Sequence, residues 1–241
     1  MKFLHMDSPF MNFLSKIADV IIINLLTILM CIPVITVGAA FTAMHYCCLK
    51  IIRGEESSIT KQYFHSFKDN FKQSTIIWII MMIFIAFFGF DFLFLYSNTS
   101  LTGSYVFWGL VLVVAVFLII GSMVYPIQAK FANSIPKTLK FAFVYSFRHL
   151  FSSILIVIVS LLPFAGMYFF MGIFPLFLSI CFSGPALFAA LLYNKQFKKL
   201  EDKYLEAHPE DIPSAQDEHI FDDEAEIAAE AADAEAAKNS R

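Results

Sequence analysis

Residues 74–96 read STIIWIIMMIFIAFFGFDFLFLY, and Asp91 is the one charged side chain in the run. As a helix rising about 1.5 Å per residue, the stretch crosses a hydrocarbon core of roughly 30 Å. It lacks the in-out alternation of a barrel strand. Working outward, five further apolar segments appear at about 17–37, 38–52, 105–126, 150–171 and 173–193. Most approach the roughly 20 residues that a spanning helix needs. Segment 38–52 is shorter and carries His45 and the vicinal Cys47 and Cys48. It reads either as a full span or as a re-entrant helix.

Composition agrees. Hydrophobic residues make up 59% of the 241 and charged residues 15%, against roughly 45–50% and 25% in soluble domains. A soluble fold could not bury that much apolar surface, whereas a bilayer solvates it. The expected fold is an all-α polytopic membrane helical bundle of about six transmembrane helices in three hairpins. The net charge of −3 conceals a division near Leu200. Residues 1–200 hold 14 basic and 6 acidic side chains, and residues 201–241 hold 3 and 14. We therefore expect a transmembrane domain over 1–200 and an acidic, largely disordered cytoplasmic tail over 201–241.

The basic residues fix an expected orientation. All 14 in the first 200 fall before segment one, from the end of segment two (Lys50) into the next loop, between segments four and five, or after segment six. The turns at 33–38, 97–104 and 171–174 carry none. The positive-inside rule places both termini in the cytoplasm of a multi-pass plasma-membrane protein. Trp78, Tyr96, Tyr105, Trp108 and Tyr125 mark the segment ends as interfacial aromatics. No cleavable signal peptide is expected ahead of the first segment.

Two cytoplasmic loops have helical periodicity. Ile59, Tyr63, Phe64, Phe67 and Phe71 form one stripe, with Lys61, Lys68, Asp69 and Lys72 opposite. Leu139, Phe143, Phe147, Leu150 and Phe151 form another, beside Arg148, and Ser134 with Pro136 supplies a helix start. Such amphipathic helices either lie on the inner leaflet or pack as ordinary connectors. The inner-leaflet candidates are Phe64, Phe67, Lys68, Phe71, Phe147 and Arg148. Ser66-Phe67-Lys68-x-x-Phe71 recurs as Ser146-Phe147-Arg148-x-x-Phe151, an offset of 80 that hints at parallel internal repeats.

Polar groups inside the apolar segments are the candidate site. A carboxylate in lipid is costly, so Asp91 should face the bundle, either as a proton or cation site or as an acid hydrogen-bonded near the outer surface. Asn24 and Thr27, with Asp19 nearer the cytoplasm and His45 in segment two, suit hydrogen bonds between helices. Pro33, Gly38, Pro163 and Pro185 are candidate helix breaks, which line sites in many transporters and are also common in membrane helices. Cys31, Cys47, Cys48 and Cys181 show no C-x-x-C spacing, so neither disulfides nor a metal site is expected. Asn98-Thr99-Ser100 fits a short glycosylation pattern. No phosphate loop, nucleophile elbow, H-E-x-x-H or paired-carboxylate pattern appears. We expect no cofactor, no nucleic-acid partner and no enzymatic activity.

The N-terminal third carries Ala18-Asp19-Val20, Asn24-Leu25-Leu26, Ile32-Pro33-Val34-Ile35-Thr36-Val37-Gly38-Ala39-Ala40 and Phe64-x-x-Phe67-Lys68-x-Asn70-Phe71. These elements resemble the YesL-like family of bacterial membrane proteins, a domain-of-unknown-function family. In layout the likeness spans about residues 8–195. It implies a bacterial plasma-membrane protein found alongside carbohydrate uptake and polysaccharide breakdown, and it supplies no catalytic residues. The expected function is a non-enzymatic accessory or assembly factor in the context of an ABC-type permease. Its partners would be the lipid bilayer and permease subunits or a second copy. The alternative is a small transporter or channel with a polar path around Asp91 and Asn24. The two differ in whether those residues share a cavity.

Overall fold

The computed structural model describes residues 9–55, 58–97, 105–131, 134–169, 172 and 178–207. The chain forms two compact units, Met1–Asn194 and Lys195–Arg241. Regular structure among the described residues is entirely helical. Five helices are long and apolar enough to cross a membrane, so this is a membrane-embedded helical protein. Residues 173–177 of the sixth expected segment, the 98–100 sequon and the tail from 208 lie outside the described residues.

Helix α1 (Pro9–Cys31) stops just ahead of Pro33, because a residue before proline is driven out of the helical region. Pro33 is extended, at φ −75° and ψ 114°, and leads into a short 3-10 turn, Val34–Thr36. Helix α2 (Val37–Arg53) follows and ends at Gly54, whose φ of 71° gives a left-handed cap bonding back to the carbonyls of Lys50 and Ile51. Eleven of its residues are buried, from Gly38 to Ile51. The weakest hydropathy segment is therefore the central helix of the bundle, since helix-packed positions need small residues more than apolar ones.

Helix α3 runs unbroken from Ile59 to Ser97. The first amphipathic stretch is thus not a separate element, because no proline or glycine interrupts the chain between it and the span. At about 1.5 Å per residue, 39 residues reach roughly 58 Å, nearly twice the hydrocarbon thickness. Helix α2 packs on the first half only. From Ile79 to Ser97, Leu95 alone is buried.

Helix α4 (Tyr105–Lys130) contains Pro126 and buries Met123 through Gln128. Helix α5 (Ile135–Arg148) starts at Ser134 with Pro136 in its first turn, as the sequence suggests. His149 interrupts it before α6 (Leu150–Phe169). Pro163 does not break α6, which runs through it. A helical turn at Leu178–Ile180 and a bend at Cys181–Phe182 precede α7 (Ser183–Ala207). The real break lies just before Pro185, which occupies the first helical turn, where its missing N–H costs least. Helix α7 continues past Leu200, the expected domain boundary.

Burial exposes a repeat that composition only hints at. Ile59, Tyr63, Ser66, Ser74 and Ile77 are buried in α3, and so are Thr138, Ala142, Tyr145, Ser153 and Ile156, each 79 residues on. The equivalence runs one residue out of step with the motif, and of the motif residues only Ser66 and Ser146 are buried in both copies.

Candidate functional site

Asn24 sits on α1 with no exposed surface. Its side-chain amide donates to the Leu178 carbonyl at 2.8 Å. Its oxygen accepts from the backbone N–H groups of Phe182 at 3.0 Å and Ser183 at 3.2 Å, with the Cys181 thiol at 3.9 Å. One asparagine thereby satisfies both ends of the break ahead of α7. The first N–H groups of a helix have no partner within it, and lipid offers none. Asn24 supplies the cap from another helix.

Thr27, one turn further along, bonds to the Ile23 carbonyl at 2.8 Å and receives the Tyr63 hydroxyl at 3.3 Å. That hydroxyl also lies 3.4 Å from the Ala40 carbonyl, so α1, α2 and α3 meet at one phenol. Thr42 and Ser74 join α2 to α3 at 2.9 Å. His45 Nδ1 lies 3.4 Å from the Tyr193 hydroxyl. Asp19 is half-buried near the middle of α1.

The Pro33–Gly38 stretch is a fitted corner. The Thr36 hydroxyl bonds to the carbonyls of Met30 and Pro33, the latter at 2.7 Å. The Trp78 indole N–H donates to the Val34 carbonyl at 2.7 Å. Gly38 is not a break but lies within the first turn of α2. A Cβ there would stand 2.3 Å from the Ser74 carbonyl oxygen and 2.8 Å from Trp78 Cβ, so only glycine permits this approach. The corner is consequently pinned beside the midpoint of α3. About 28 Å of helix separates Trp78 from Ser97. The α1–α2 corner therefore stands well short of the far end of α3.

Asp91 stands apart from all of this. It is half-buried in a shallow cleft between α3 and α4 with Phe94, Leu95, Val106 and Leu110. None of these residues belongs to the Asn24 cluster, so the polar path through both residues is not formed among the described residues. The Asn24 cluster instead joins helices.

A second polar chain escaped sequence reading. Gln128 of α4 donates to Asn70 of α3 at 3.3 Å and accepts from Thr138 of α5 at 3.3 Å. Ser146 bonds to the Ile119 carbonyl at 3.3 Å. Helix α5 thus docks through its small polar face. The available signal was that face itself, opposite the phenylalanine stripe, but the rings drew attention to the other side. Burial pushes the Tyr145 phenol up, and burial with nearby Arg148 lowers His149, so both stay neutral at pH 7.

The outward face of α5 carries Phe143, Val144, Phe147 and, just beyond it, Phe151, which is 82% exposed. Lys137, Lys140 and Arg148 are exposed too, and the helix has no acidic residue. The first stretch differs in its rings, since Phe64 and Phe67 are half-buried and Phe71 alone of the three lies open, beside the exposed Lys61, Lys68 and Lys72. Of the two stretches, α5 thus carries the more exposed face of rings and basic residues.

No curated protein and no solved structure matches the chain. The model of the family described as "Protein of unknown function, DUF624" matches residues 20–92. That segment holds the Asn24 and Thr27 cluster, the Pro33–Gly38 corner, the Tyr63 and Ser74 contacts and Asn70. Over this segment the chain is similar to the DUF624 family, the YesL-like membrane proteins that its N-terminal motifs resemble.

Proposed function

We propose that the protein is a non-enzymatic accessory or assembly factor of the bacterial plasma membrane, serving a carbohydrate permease, with both termini in the cytoplasm. The observation that carries this reading is the fate of the polar interior. Asn24, Thr27, Thr42, Tyr63 and Ser74 bond helix to helix, and Asp91 lies elsewhere. Such an interior stabilises a scaffold and offers no continuous polar route among the described residues. The apolar faces of α1, α5 and the outer half of α3 supply surface for permease subunits or a second copy. The carbohydrate context rests on the family resemblance, and the orientation rests on the basic-residue bias.

The test is a pull-down of the tagged full chain from mildly solubilised membranes, together with sugar uptake by a strain lacking the gene. Stoichiometric permease subunits and reduced uptake are expected. A chain that purifies alone, with normal uptake in the deletion strain, would overturn the proposal. Solute flux through vesicles holding only this protein would establish the transporter reading instead.

A further inference from the structure

Helix α5 has two unlike faces. The buried residues Thr138, Ala142, Tyr145 and Ser146 fall within about 100° of the helical wheel. The opposite arc, about 140° wide, holds Phe143, Val144 and Phe147 interleaved with Lys137, Lys140 and Arg148, all exposed. None of these three basic residues makes an ion pair among the described residues. The chain has no acidic residue between Asp91 and Glu201, so α4, α5 and α6 supply no counter-charge. Asp69 of α3, next to Asn70 in the polar chain that reaches α5, is held by His65 at 2.7 Å.

We propose that this face lies in the phospholipid headgroup layer and binds the phosphates of anionic lipids. Hydrocarbon would strand Arg148 and both lysines without partners, at high cost. Water would leave two phenylalanine rings and a valine uncovered. The headgroup layer accepts both kinds of side chain. The rings enter the acyl boundary, and the long basic stems carry their charge to the phosphates. The sign of the lipid follows from the missing counter-charge, since an anion for these three bases must come from outside the helices that surround them. Residues 17–37 and 79–97 also expose apolar side chains, but with no basic residue among them. Those faces remain for protein partners, and α5 goes to lipid.

The test is photocrosslinking of the full-length protein in nanodiscs of equimolar phosphatidylglycerol and phosphatidylcholine. Photoreactive benzoylphenylalanine replaces Phe143 or Phe147 on α5. It replaces Phe87, exposed on the outer half of α3, as the control. Lipid adducts are identified by mass spectrometry. At residues 143 and 147, phosphatidylglycerol adducts should exceed phosphatidylcholine adducts at least about fivefold, the effect of a single basic residue near an anionic surface. At residue 87 the two should be close to equal. Lys137→Gln, Lys140→Gln and Arg148→Gln together should bring the ratio at residue 143 down to that at residue 87. Equal adducts at residues 143 and 147 in the otherwise unchanged chain overturn the proposal, as does a preference kept by a folded triple variant. If the triple variant does not fold, the ratio is read in about 1 M salt, where the Debye length is about 3 Å, and an unchanged preference there overturns it. In native membranes, a protein adduct at residue 143 in place of lipid would also overturn it and give this face to a subunit.

Discussion

Replacing Asn24 by leucine removes the cap from the break ahead of α7 while keeping the side-chain volume close. Three backbone groups lose their partner at once, namely the Leu178 carbonyl and the N–H groups of Phe182 and Ser183. Each buried group left unsatisfied costs about 1–3 kcal/mol in soluble proteins. Side-chain bonds between membrane helices average nearer 0.6 kcal/mol, because the unfolded state in the bilayer finds other partners. Three bonds therefore give a floor of about 2 kcal/mol, and we expect Asn24→Leu to cost about 2–5 kcal/mol. Asn24→Asp in its neutral acid form keeps the acceptor and can offer an O–H to the Leu178 carbonyl, which avoids the cost of a buried charge. It should lose less than half as much. Reversible unfolding in mixed micelles, read from Trp78 and Trp108 fluorescence, measures the difference. Hydrogen exchange at the Phe182 and Ser183 amides should quicken in the leucine variant. A leucine variant within about 0.5 kcal/mol of wild type, with those amides still protected, would refute the capping argument.

Gly38→Ala should destabilise by about 1–3 kcal/mol, the usual cost of overpacking, because the Ser74 backbone obstructs the new Cβ; equal stability by the same titration would show that α2 and α3 can separate freely. Asp91→Asn should leave stability within about 0.5 kcal/mol, since no partner appears among the described residues, and a loss above about 1 kcal/mol would reveal one. Charge reversal of Lys137, Lys140 and Arg148 together should weaken the docking of α5 on anionic nanodiscs but not on neutral ones, read by quenching of a label at residue 143 with spin-labelled lipid; equal quenching in both would remove the electrostatic part. Cysteine labelling should find residue 100 accessible from outside and residue 196 from inside, and the reverse pattern would overturn the inferred orientation.

The membrane class and the approximate position of each helix were legible in the chain alone. Hydropathy is a local property, and a bilayer reads it one segment at a time, so Ser74–Tyr96 announces itself without reference to any other residue. Pro33 was legible for the same reason, since a proline acts on its immediate neighbours. Pro163 was not, because helices tolerate proline where surrounding groups meet the freed carbonyl, and sequence does not show the surroundings. Asn24 and Thr27 could be marked as polar and therefore inward, yet the partners of Asn24 lie more than 150 positions away along the chain. Gly38 read as a helix breaker when its role is close approach to Ser74, a distinction that exists only once α2 and α3 are side by side. The depth of the α1–α2 corner was likewise set by one indole reaching Val34. Composition and hydropathy thus determined what this protein dissolves in and roughly where its apolar stretches lie. Which face of each helix turns inward, and which polar group completes another's hydrogen bonds, was decided by tertiary packing. In a solvent without hydrogen bonds those partners must come from wherever the fold brings them.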